Sequence, residues 1–327
     1  MNVKTKTLKH GIKSVLASPV GWRTVGPIVR QRGVIVLTYH RIVGDGPSLS
    51  GVSVARFNEQ MRWIRDNCDP IGPDALKARA RAPRSGRPAV LVTFDDGYRS
   101  YHDLAYPVLK QYGIPAGVFL VTGLVDEPGV LWTDRVQWAA FTTARTSVTL
   151  PWLEGGTPFE LTDARARKVL SGAARAFLKT IPDALRVERV EELLGILGGS
   201  PPRERQMVTW DEVRRTMDLT TYGGHTHTHC ILAQVDRAGA AREIGLCRDR
   251  IAAETGKTPT TFAYPNGNTA DFTQETREVL QAHGFEIAFS SCEGIAGADS
   301  DWFAVKRIPE IDDDIPSFVW LAAGLAS

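Results

Sequence analysis

The chain has 327 residues, of which 43% are hydrophobic and 23% charged, and its formal net charge at neutral pH is +2. These values are typical of a globular protein with a large core, and the small net charge argues against general nucleic-acid binding. The length accommodates one barrel-sized domain with an insertion. The four cysteines are scattered and form no Cys-x-x-Cys pair, which indicates free thiols in a reducing compartment.

The N-terminal segment, residues 1–32, is basic: positions 1–44 contain eight Lys or Arg and no acid. Apolar residues spaced for one face of a helix occur at Leu8, Ile12, Val15 and Leu16. Pro19 and Gly21 are predicted to end that pattern. We hypothesise that residues 1–28 rest on the anionic surface of the inner membrane. The alternatives are a short helix packed on the remaining domain, residues 33–327, and a frayed basic tail.

The sequence contains neither the apolar core of a signal peptide nor a spanning helix. We therefore expect a cytoplasmic protein, peripheral at the inner membrane if the hypothesis on residues 1–28 holds. Nothing in the sequence indicates a protein partner.

Strand and helix patterns alternate along the rest of the chain and predict an α/β fold. Helices are predicted at 57–67, 100–112, 163–180, 186–197, 234–255 and 273–283, strands at 89–92 and 116–122, and an exposed connection at 77–87. Residues 125–205 lack a strand pattern and are interpreted as a helical insertion. The stretch Leu131-Trp132-Thr133-Asp134-Arg135 opens this insertion, where it would approach a cleft or anchor the insertion by packing.

The stretch Thr93-Phe94-Asp95-Asp96-Gly97 directly follows a buried strand pattern. Side chains alternate along a strand, so the two adjacent carboxylates face different directions. One of them can bind a metal while its neighbour handles a proton. Asp-Asp-Gly is also ordinary turn chemistry, so this motif alone leaves both interpretations open.

A second cluster, His225-Thr226-His227-Thr228-His229, gathers three of the seven histidines. Packing gives no reason to collect imidazoles, whereas imidazole is the commonest metal ligand in proteins. A helical turn or tight loop would place His225 and His229 on one side, whereas a strand would align all three. Asp96 with two histidines would form a metal site that keeps positions free for water and substrate.

Together, Thr93-Phe94-Asp95-Asp96-Gly97 and His225-Thr226-His227-Thr228-His229 resemble two motifs of the polysaccharide deacetylases, the family-four carbohydrate esterases with a NodB homology domain. The resemblance covers about 33–124 and 206–310. It implies a distorted (β/α) barrel of about seven strands, with the helical insertion at about 125–205. Residues 34–41 resemble the family's opening strand, which often ends in Tyr-His as at Tyr39-His40. Residues 262–267 resemble its third motif, a strand running into a loop, and residues 305–309 resemble its last strand. Thr209-Trp210-Asp211-Glu212 resembles the short helix before the histidine motif, with Thr209 and Glu212 forming a capping box.

The resemblance also implies roles for the motif residues. Asp95 is expected to be the general base, whereas Asp96, His225 and His229 are expected to bind a divalent metal ion. Zn²⁺ is the first expectation, and Co²⁺ or another divalent ion is the alternative. His227 occupies a variable position of the motif and is not expected to be a ligand.

The sequence departs from the family pattern in its third and last motifs. Ala263 stands where many relatives have an Arg that pairs with the base, and Arg307 from the last strand is our candidate replacement. No His lies beyond His283, so the family's late His, a general acid, is absent. His40, at the end of the first strand, is the candidate acid, although it can equally be a structural residue.

The chemistry implied by the resemblance is hydrolysis of an N-acetyl group on an amino sugar, which releases acetate. The backbone N–H of Tyr98 or of Asn266 would stabilise the oxyanion. The sugar would belong to a glycan or to a nucleotide- or lipid-linked precursor. The alternatives are an O-acetyl esterase or cyclic-amide hydrolase on the same barrel, and a degenerate homologue that binds glycans without turnover.

Overall fold

The computed structural model describes residues 11–44, 51–82, 86–198 and 204–324. Seven parallel strands lie side by side in the order of the chain. They are β1 (Ile35–Tyr39), β2 (Ala89–Phe94), β3 (Ala116–Leu120), β4 (Thr220–Gly224), β5 (Thr261–Ala263), β6 (Ile287–Glu293) and β7 (Val305–Arg307). The predicted barrel is therefore confirmed.

The barrel is nearly closed between its last and first strands. Just after β7, the Ile308 N–H donates to the Val36 carbonyl at 2.7 Å, and the Thr38 N–H donates to the Ile308 carbonyl at 2.9 Å. Strands β1 and β2 are buried along their whole length, as expected for parallel strands covered on both faces. A short strand, Asp69–Ile71, adds to the beginning of β2.

The strand register aligns the residues that follow each strand. Tyr39 pairs with Phe94 across β1 and β2, and Leu120 pairs with Gly224 across β3 and β4. His40, the two aspartates and His225 therefore emerge at the same end of the barrel. This is the carboxyl end of the strands, where barrel enzymes assemble their sites.

Eleven α-helices are bounded within the described residues. They are α1 (Pro19–Arg32), α2 (Val54–Asn67), α3 (Leu76–Arg81), α4 (Tyr106–Tyr112), α5 (Trp132–Thr142), α6 (Ala164–Leu178), α7 (Asp183–Leu197), α8 (Trp210–Arg215), α9 (Arg237–Thr255), α10 (Gln274–Ala282) and α11 (Ile315–Ala322). None of them combines the length and the apolar character that crossing a bilayer requires. The capping box of Thr209 and Glu212 is present at the start of α8.

The prediction that Pro19 and Gly21 end the N-terminal helical pattern was correct at Pro19 and wrong at Gly21. The first helical segment, residues 11–17, ends at a bend at Ser18, and a second helix, α1, begins at Pro19 and runs through Gly21 to Arg32. Pro19 is compatible with this helix because the first helical residue needs no N–H partner. The Trp22 ring packs edge-on against Trp63 of α2, with 4.7 Å between ring centroids, which holds α1 against the barrel. Leu8 lies outside the described residues.

The prediction of an exposed connection at 77–87 was also wrong in part. Residues 77–81 belong to α3, whose Leu76 and Ala80 are buried. Alanine and arginine are good helix formers, and their propensity is sufficient for this short helix. Residues 83–85 lie outside the described part of the chain.

The insertion has a hydrophobic core of its own. Helices α5, α6 and α7 pack around buried residues that include Leu150, Leu170 and Leu193. The sequence predicted α6 and α7 but not α5, nor the antiparallel pair Ser147–Val148 and Phe159–Glu160. Strands of two residues are too short to show an alternating pattern.

Candidate active site

The Asp-Asp-Gly turn lies at the carboxyl end of β2. The Asp95 N–H donates to the Tyr39 carbonyl at 2.9 Å, which ties the turn to β1. Asp96 has a φ of 75°, an uncommon conformation for a residue other than glycine, and Gly97 follows with a φ of 80°. The two carboxylates therefore point to different neighbours, as the alternation along the strand predicted.

The Asp96, His225 and His229 side chains converge in the barrel mouth. Asp96 Oδ1 lies 3.3 Å from the Nε2 atom of each histidine, and all three side chains are buried. One ligand atom from each residue lies within 4.8 Å of the others. Three donors of this kind, with the remaining directions open to the pocket, fit a divalent ion that also binds water or substrate.

The hydrogen bonds around the histidines support this fit. His225 Nδ1 lies 2.7 Å from the Ala263 carbonyl, to which only a protonated ring nitrogen can donate. In the neutral form of this tautomer, the His225 Nε2 atom carries a lone pair and no proton, and it faces the Asp96 carboxylate. Burial lowers the pKa of His229 despite the opposing effect of Asp96, which favours the neutral ring needed in a ligand. Two acceptors facing each other are stabilised by a cation between them.

His227 belongs to a different environment. Its Nδ1 atom lies 3.1 Å from the Thr122 hydroxyl, and the residue is absent from the Asp96 cluster. The segment is a loop in which Thr226 and His229 have positive φ, so the strand-like alignment of three histidines does not occur.

Glu243 of α9 holds this histidine loop. Its carboxylate accepts hydrogen bonds from the His227 N–H, the Thr228 N–H and the Thr228 hydroxyl, at 2.9, 2.9 and 3.0 Å. The sequence analysis did not identify Glu243, because it lies in an ordinary helix pattern. We class it as a residue that positions His229.

Replacing Glu243 with Gln should therefore weaken metal binding without removing a ligand. An amide keeps one acceptor oxygen but loses the charge-assisted bonds. We therefore expect the affinity for a divalent ion to fall by about tenfold, the smallest effect typical of residues that hydrogen-bond to metal ligands. Competition with a chromophoric chelator would measure it. Glu254→Gln, on the same helix and outside the site, is the control, and an affinity equal in the two variants would contradict this role.

Asp95 forms a buried ion pair with Arg307. Arg307 Nη1 and Nη2 donate to the two carboxylate oxygens at 2.8 and 2.7 Å, and the residues are 3% and 1% exposed. Burial raises the pKa of Asp95, but the Arg307 guanidinium outweighs this effect and holds the pKa below its ordinary value. The carboxylate is therefore charged at neutral pH and able to accept a proton. The structure thus places Arg307 beside Asp95 as the sequence analysis expected.

His40 lies at the rim of the same pocket beside Glu310. The His40 Nδ1 atom is 3.4 Å from the Glu310 carboxylate, which also accepts the His40 N–H at 2.9 Å. Partial burial lowers the pKa of His40, but the Glu310 carboxylate and the two aspartates beyond it raise the pKa to about 9. His40 is therefore positioned to carry a proton at neutral pH. Glu310 was not identified from sequence, because nothing local marks it as a partner of His40.

Tyr98 and Asn266 both line the pocket. Among the hydrogen bonds of the described residues, neither backbone N–H donates to a protein acceptor. Asn266 has a φ of 59°, and its side-chain nitrogen is buried without a partner in the described part of the chain. The backbone N–H groups of Tyr98 and Asn266 are therefore available to an oxyanion bound in the pocket.

The pocket has a volume of about 250 Å³ and is completed by the insertion. Asp134 of α5 accepts hydrogen bonds from Arg41 at 2.8 Å and from the Tyr98 hydroxyl at 2.9 Å, and the Arg41 guanidinium lies over the Tyr98 ring. This cluster anchors the start of the insertion to the barrel. The stretch Leu131-Trp132-Thr133-Asp134-Arg135 thus both lines the cleft and anchors the insertion by packing.

Backbone strain is concentrated at this site. Five non-glycine residues of the described chain have positive φ, and four of them, Asp96, Thr226, His229 and Asn266, lie in the two motifs or line the pocket. Such conformations cost on the order of 1–3 kcal/mol each and persist where the surrounding structure enforces them. Their position supports a site assembled for function.

Comparisons with known proteins agree with the fold. The Streptococcus pyogenes deacetylase PplD has a TM-score of 0.60 at 16% identity, with 89% of this chain and 97% of that chain covered. IcaB from Ammonifex degensii has a TM-score of 0.59 at 20% identity, with the same coverage. At these identities, the likeness supports the barrel architecture alone.

Sequence relatives match shorter parts of the chain. The poly-beta-1,6-N-acetyl-D-glucosamine N-deacetylase of Escherichia coli (strain K12) is 30% identical over 104 residues, which cover 30% of this chain and 15% of the relative. The chain thus matches less than a fifth of the length of that curated relative. The family model described as polysaccharide deacetylase matches residues 82–288, more than half of the chain. The chain therefore belongs to the polysaccharide deacetylase family.

Proposed function

We propose that this protein is a metal-dependent N-deacetylase that releases acetate from an N-acetylated amino sugar. The observation that carries the proposal is the arrangement of three groups in one pocket. A buried Asp95 paired with Arg307 adjoins the Asp96, His225 and His229 cluster, and His40, whose pKa is raised beside Glu310, lies at the rim. The three groups suit proton abstraction, metal binding and proton donation.

Each residue of the chain has a defined part in this reaction. A divalent ion, when bound by Asp96, His225 and His229, supplies Lewis-acid polarisation and a more acidic water. Asp95 accepts the proton of the attacking water, and Arg307 keeps its carboxylate oriented and charged. The Tyr98 and Asn266 N–H groups donate to the developing oxyanion. His40 donates a proton to the leaving nitrogen, so acetate and a free amine are formed.

The position of His40 favours the N-deacetylase over the O-acetyl esterase. An amine is a poor leaving group unless it is protonated, whereas an alkoxide needs less assistance. Burial lowers the pKa of His40, but Glu310 together with Asp96 and Asp95 raises it to about 9, which favours the protonated ring at neutral pH.

Replacing Glu310 with Gln should move the alkaline limb of the pH–kcat profile to lower pH. His40 acts while protonated, so activity is lost as the pH rises through its pKa. Removing the carboxylate that raises this pKa should shift the limb down by about one unit. Rates measured from pH 6 to 10 test this, with Glu293→Gln as a control; an unchanged alkaline limb would remove His40 as the acid.

The proposed substrate is an N-acetylated sugar of a glycan or of its precursor. The Escherichia coli relative is named for poly-beta-1,6-N-acetyl-D-glucosamine, which supports an N-acetylglucosamine unit. We propose Zn²⁺ as the ion, with Co²⁺ as the alternative, because two histidines and one carboxylate suit both.

An acetate-release panel tests this function. N-acetylglucosamine oligomers, nucleotide- and polyprenyl-linked N-acetyl sugars, and O-acetylated sugars would each be incubated with zinc, with cobalt and with chelator. We expect chelator-sensitive release from N-acetyl compounds. Release confined to O-acetyl compounds would assign the esterase class, and no release from protein that carries zinc would favour the degenerate binding homologue.

We also propose peripheral contact with an anionic membrane through the N-terminal region. The exposed apolar side chains Ile12, Val15, Val20 and Ile28 support it, as does the absence of acid before Asp45. The free cysteines support a cytoplasmic site of action. Flotation with vesicles of anionic lipid should carry the intact chain and leave a chain lacking residues 1–28 behind; equal flotation would refute the contact.

A further inference from the structure

The insertion contributes a positive charge to the active-site pocket. Arg175 of α6 lines the same pocket as Asp95 and Asp96, and Thr133 and Gln137 of α5 complete that wall. The site residues that belong to the barrel lie before or after the insertion in the sequence. Arg175 therefore lies on the wall of the pocket that the insertion supplies, whereas the proton-transfer groups come from the barrel.

Arg175 differs from the other charged groups of the pocket in its lack of an ionic partner. Asp95 pairs with Arg307, Asp134 pairs with Arg41, and Glu310 lies beside His40. Within the described ranges, no carboxylate lies at ion-pair distance from the Arg175 guanidinium. Its Nε donates to the Ser171 carbonyl of its own helix at 3.2 Å, and no protein acceptor is recorded for its terminal nitrogens.

A second cation follows one helical turn later, at the end of α6. Lys179 is half-buried and likewise has no ion pair among the described residues. Burial lowers the pKa of Lys179 and the Arg175 charge lowers it further, against the opposing effect of Asp271. Holding two like charges half-buried and close together is unfavourable, and an anion between or beside them would relieve it.

We propose that Arg175 binds a phosphoryl group attached to the N-acetyl sugar. A planar guanidinium binds two phosphoryl oxygens at once. Lys179 does not line the pocket and adds only to the positive potential behind Arg175. This inference rests on the proposed deacetylase function and specifies its substrate class, a phosphorylated N-acetyl sugar. The phosphoryl group of a nucleotide carrier and that of a lipid carrier share this chemistry. An uncharged N-acetylglucosamine polymer would not use the site.

Paired substrates test the proposal kinetically. N-acetylglucosamine 1-phosphate is compared with methyl N-acetylglucosaminide, in the wild type, in Arg175→Gln and in Arg165→Gln, which removes the same charge at the exposed start of α6. We expect Arg175→Gln to lower the ratio of kcat/KM for the phosphorylated over the neutral sugar by about tenfold, through KM. Arg165→Gln should keep the wild-type ratio. An equal ratio in all three proteins would overturn the proposal.

Equilibrium binding separates this proposal from the deacetylase function itself. Calorimetry on the zinc-loaded full chain carrying Asp95→Asn, with and without Arg175→Gln, needs no turnover. We expect the phosphorylated sugar to bind about tenfold more weakly in the double variant, and the methyl glycoside to change less. Such a result would support the anion site even if no acetate were released from any substrate. Equal losses for both sugars would overturn it.

The carrier is identified by two further arms of the same assay. A uridine diphosphate N-acetyl sugar and a short polyprenyl diphosphate N-acetyl sugar are compared at matched concentration. A dependence on Arg175 that appears with either one supports the phosphoryl site, and the larger kcat/KM names the carrier. If Arg175→Gln changes kcat/KM for neither diphosphate sugar, the phosphoryl site is contradicted.

Discussion

Replacing Asp95 with Asn is expected to lower kcat for acetate release by about 10²- to 10⁴-fold, the range for removing a general base. The amide keeps the size of the side chain and can still contact Arg307, but it cannot accept the proton of water. Steady-state rates with the best N-acetyl substrate from the panel measure the effect. Zinc content should stay near one equivalent, because Asp96, His225 and His229 remain.

Asp249→Asn on the exposed face of α9 is the matched control and should retain full activity. A rate for Asp95→Asn within a few-fold of the wild type, with zinc bound, would remove Asp95 as the base. Loss of both rate and zinc would instead indicate that the variant disturbs the metal site.

Replacing Arg307 with Met should cost about 3–5 kcal/mol of unfolding free energy, because it leaves the buried Asp95 charge without its partner. Arg307 is 1% exposed and also donates to the Ser290 carbonyl at 2.9 Å. Denaturant unfolding at neutral pH measures the loss. The double variant Asp95→Asn with Arg307→Met should be less destabilised than the sum of the single variants, since no unpaired charge remains.

The sign of the pH dependence provides a further check on this pair. Arg307 holds the pKa of Asp95 below its unfolded-state value, so the pair contributes stability that is present above that value, about 3.9, and is lost as the pH falls. Without Arg307, burial raises the pKa and favours the protonated acid. The destabilisation by Arg307→Met should therefore shrink as the pH is lowered from 7 to 4. A penalty that is constant over this range would contradict the ion-pair account.

The barrel was predictable because its signals are local. The strand before the two aspartates, Ala89–Phe94, is a short apolar run, whereas Thr220–Gly224 before the histidine motif has no apolar pattern and was not predicted. Parallel strands in register bring the residues that follow each strand to the same end of the barrel. Motifs that are distant in the sequence can therefore be inferred to lie close together in the fold. The helix at 77–81 was missed because it is too short to show a helical period, and α1 was missed because its glycine and proline residues weaken the helix signal.

The partners of the site residues were harder to predict, because their contacts connect distant positions. Arg307 and Asp95 are 212 positions apart, and only the expectation of a substitute for Ala263 suggested the pair. Glu310 and Glu243 each accept backbone N–H groups besides a side-chain contact, and neither glutamate belongs to a recognisable motif. Arg175 lies in an amphipathic helix of the insertion, and its access to the pocket depends on how α6 packs, which a single sequence does not specify.

The most direct test of the account is a zinc titration of the chelated, dialysed protein, followed by acetate release and by bound metal in the same samples. The account predicts that activity rises in proportion to bound zinc and stops rising at one equivalent. It also predicts that His225→Ala binds zinc more weakly and gains no comparable activity. Full acetate release from protein that contains less than a tenth of an equivalent of metal would contradict a metal-dependent deacetylase.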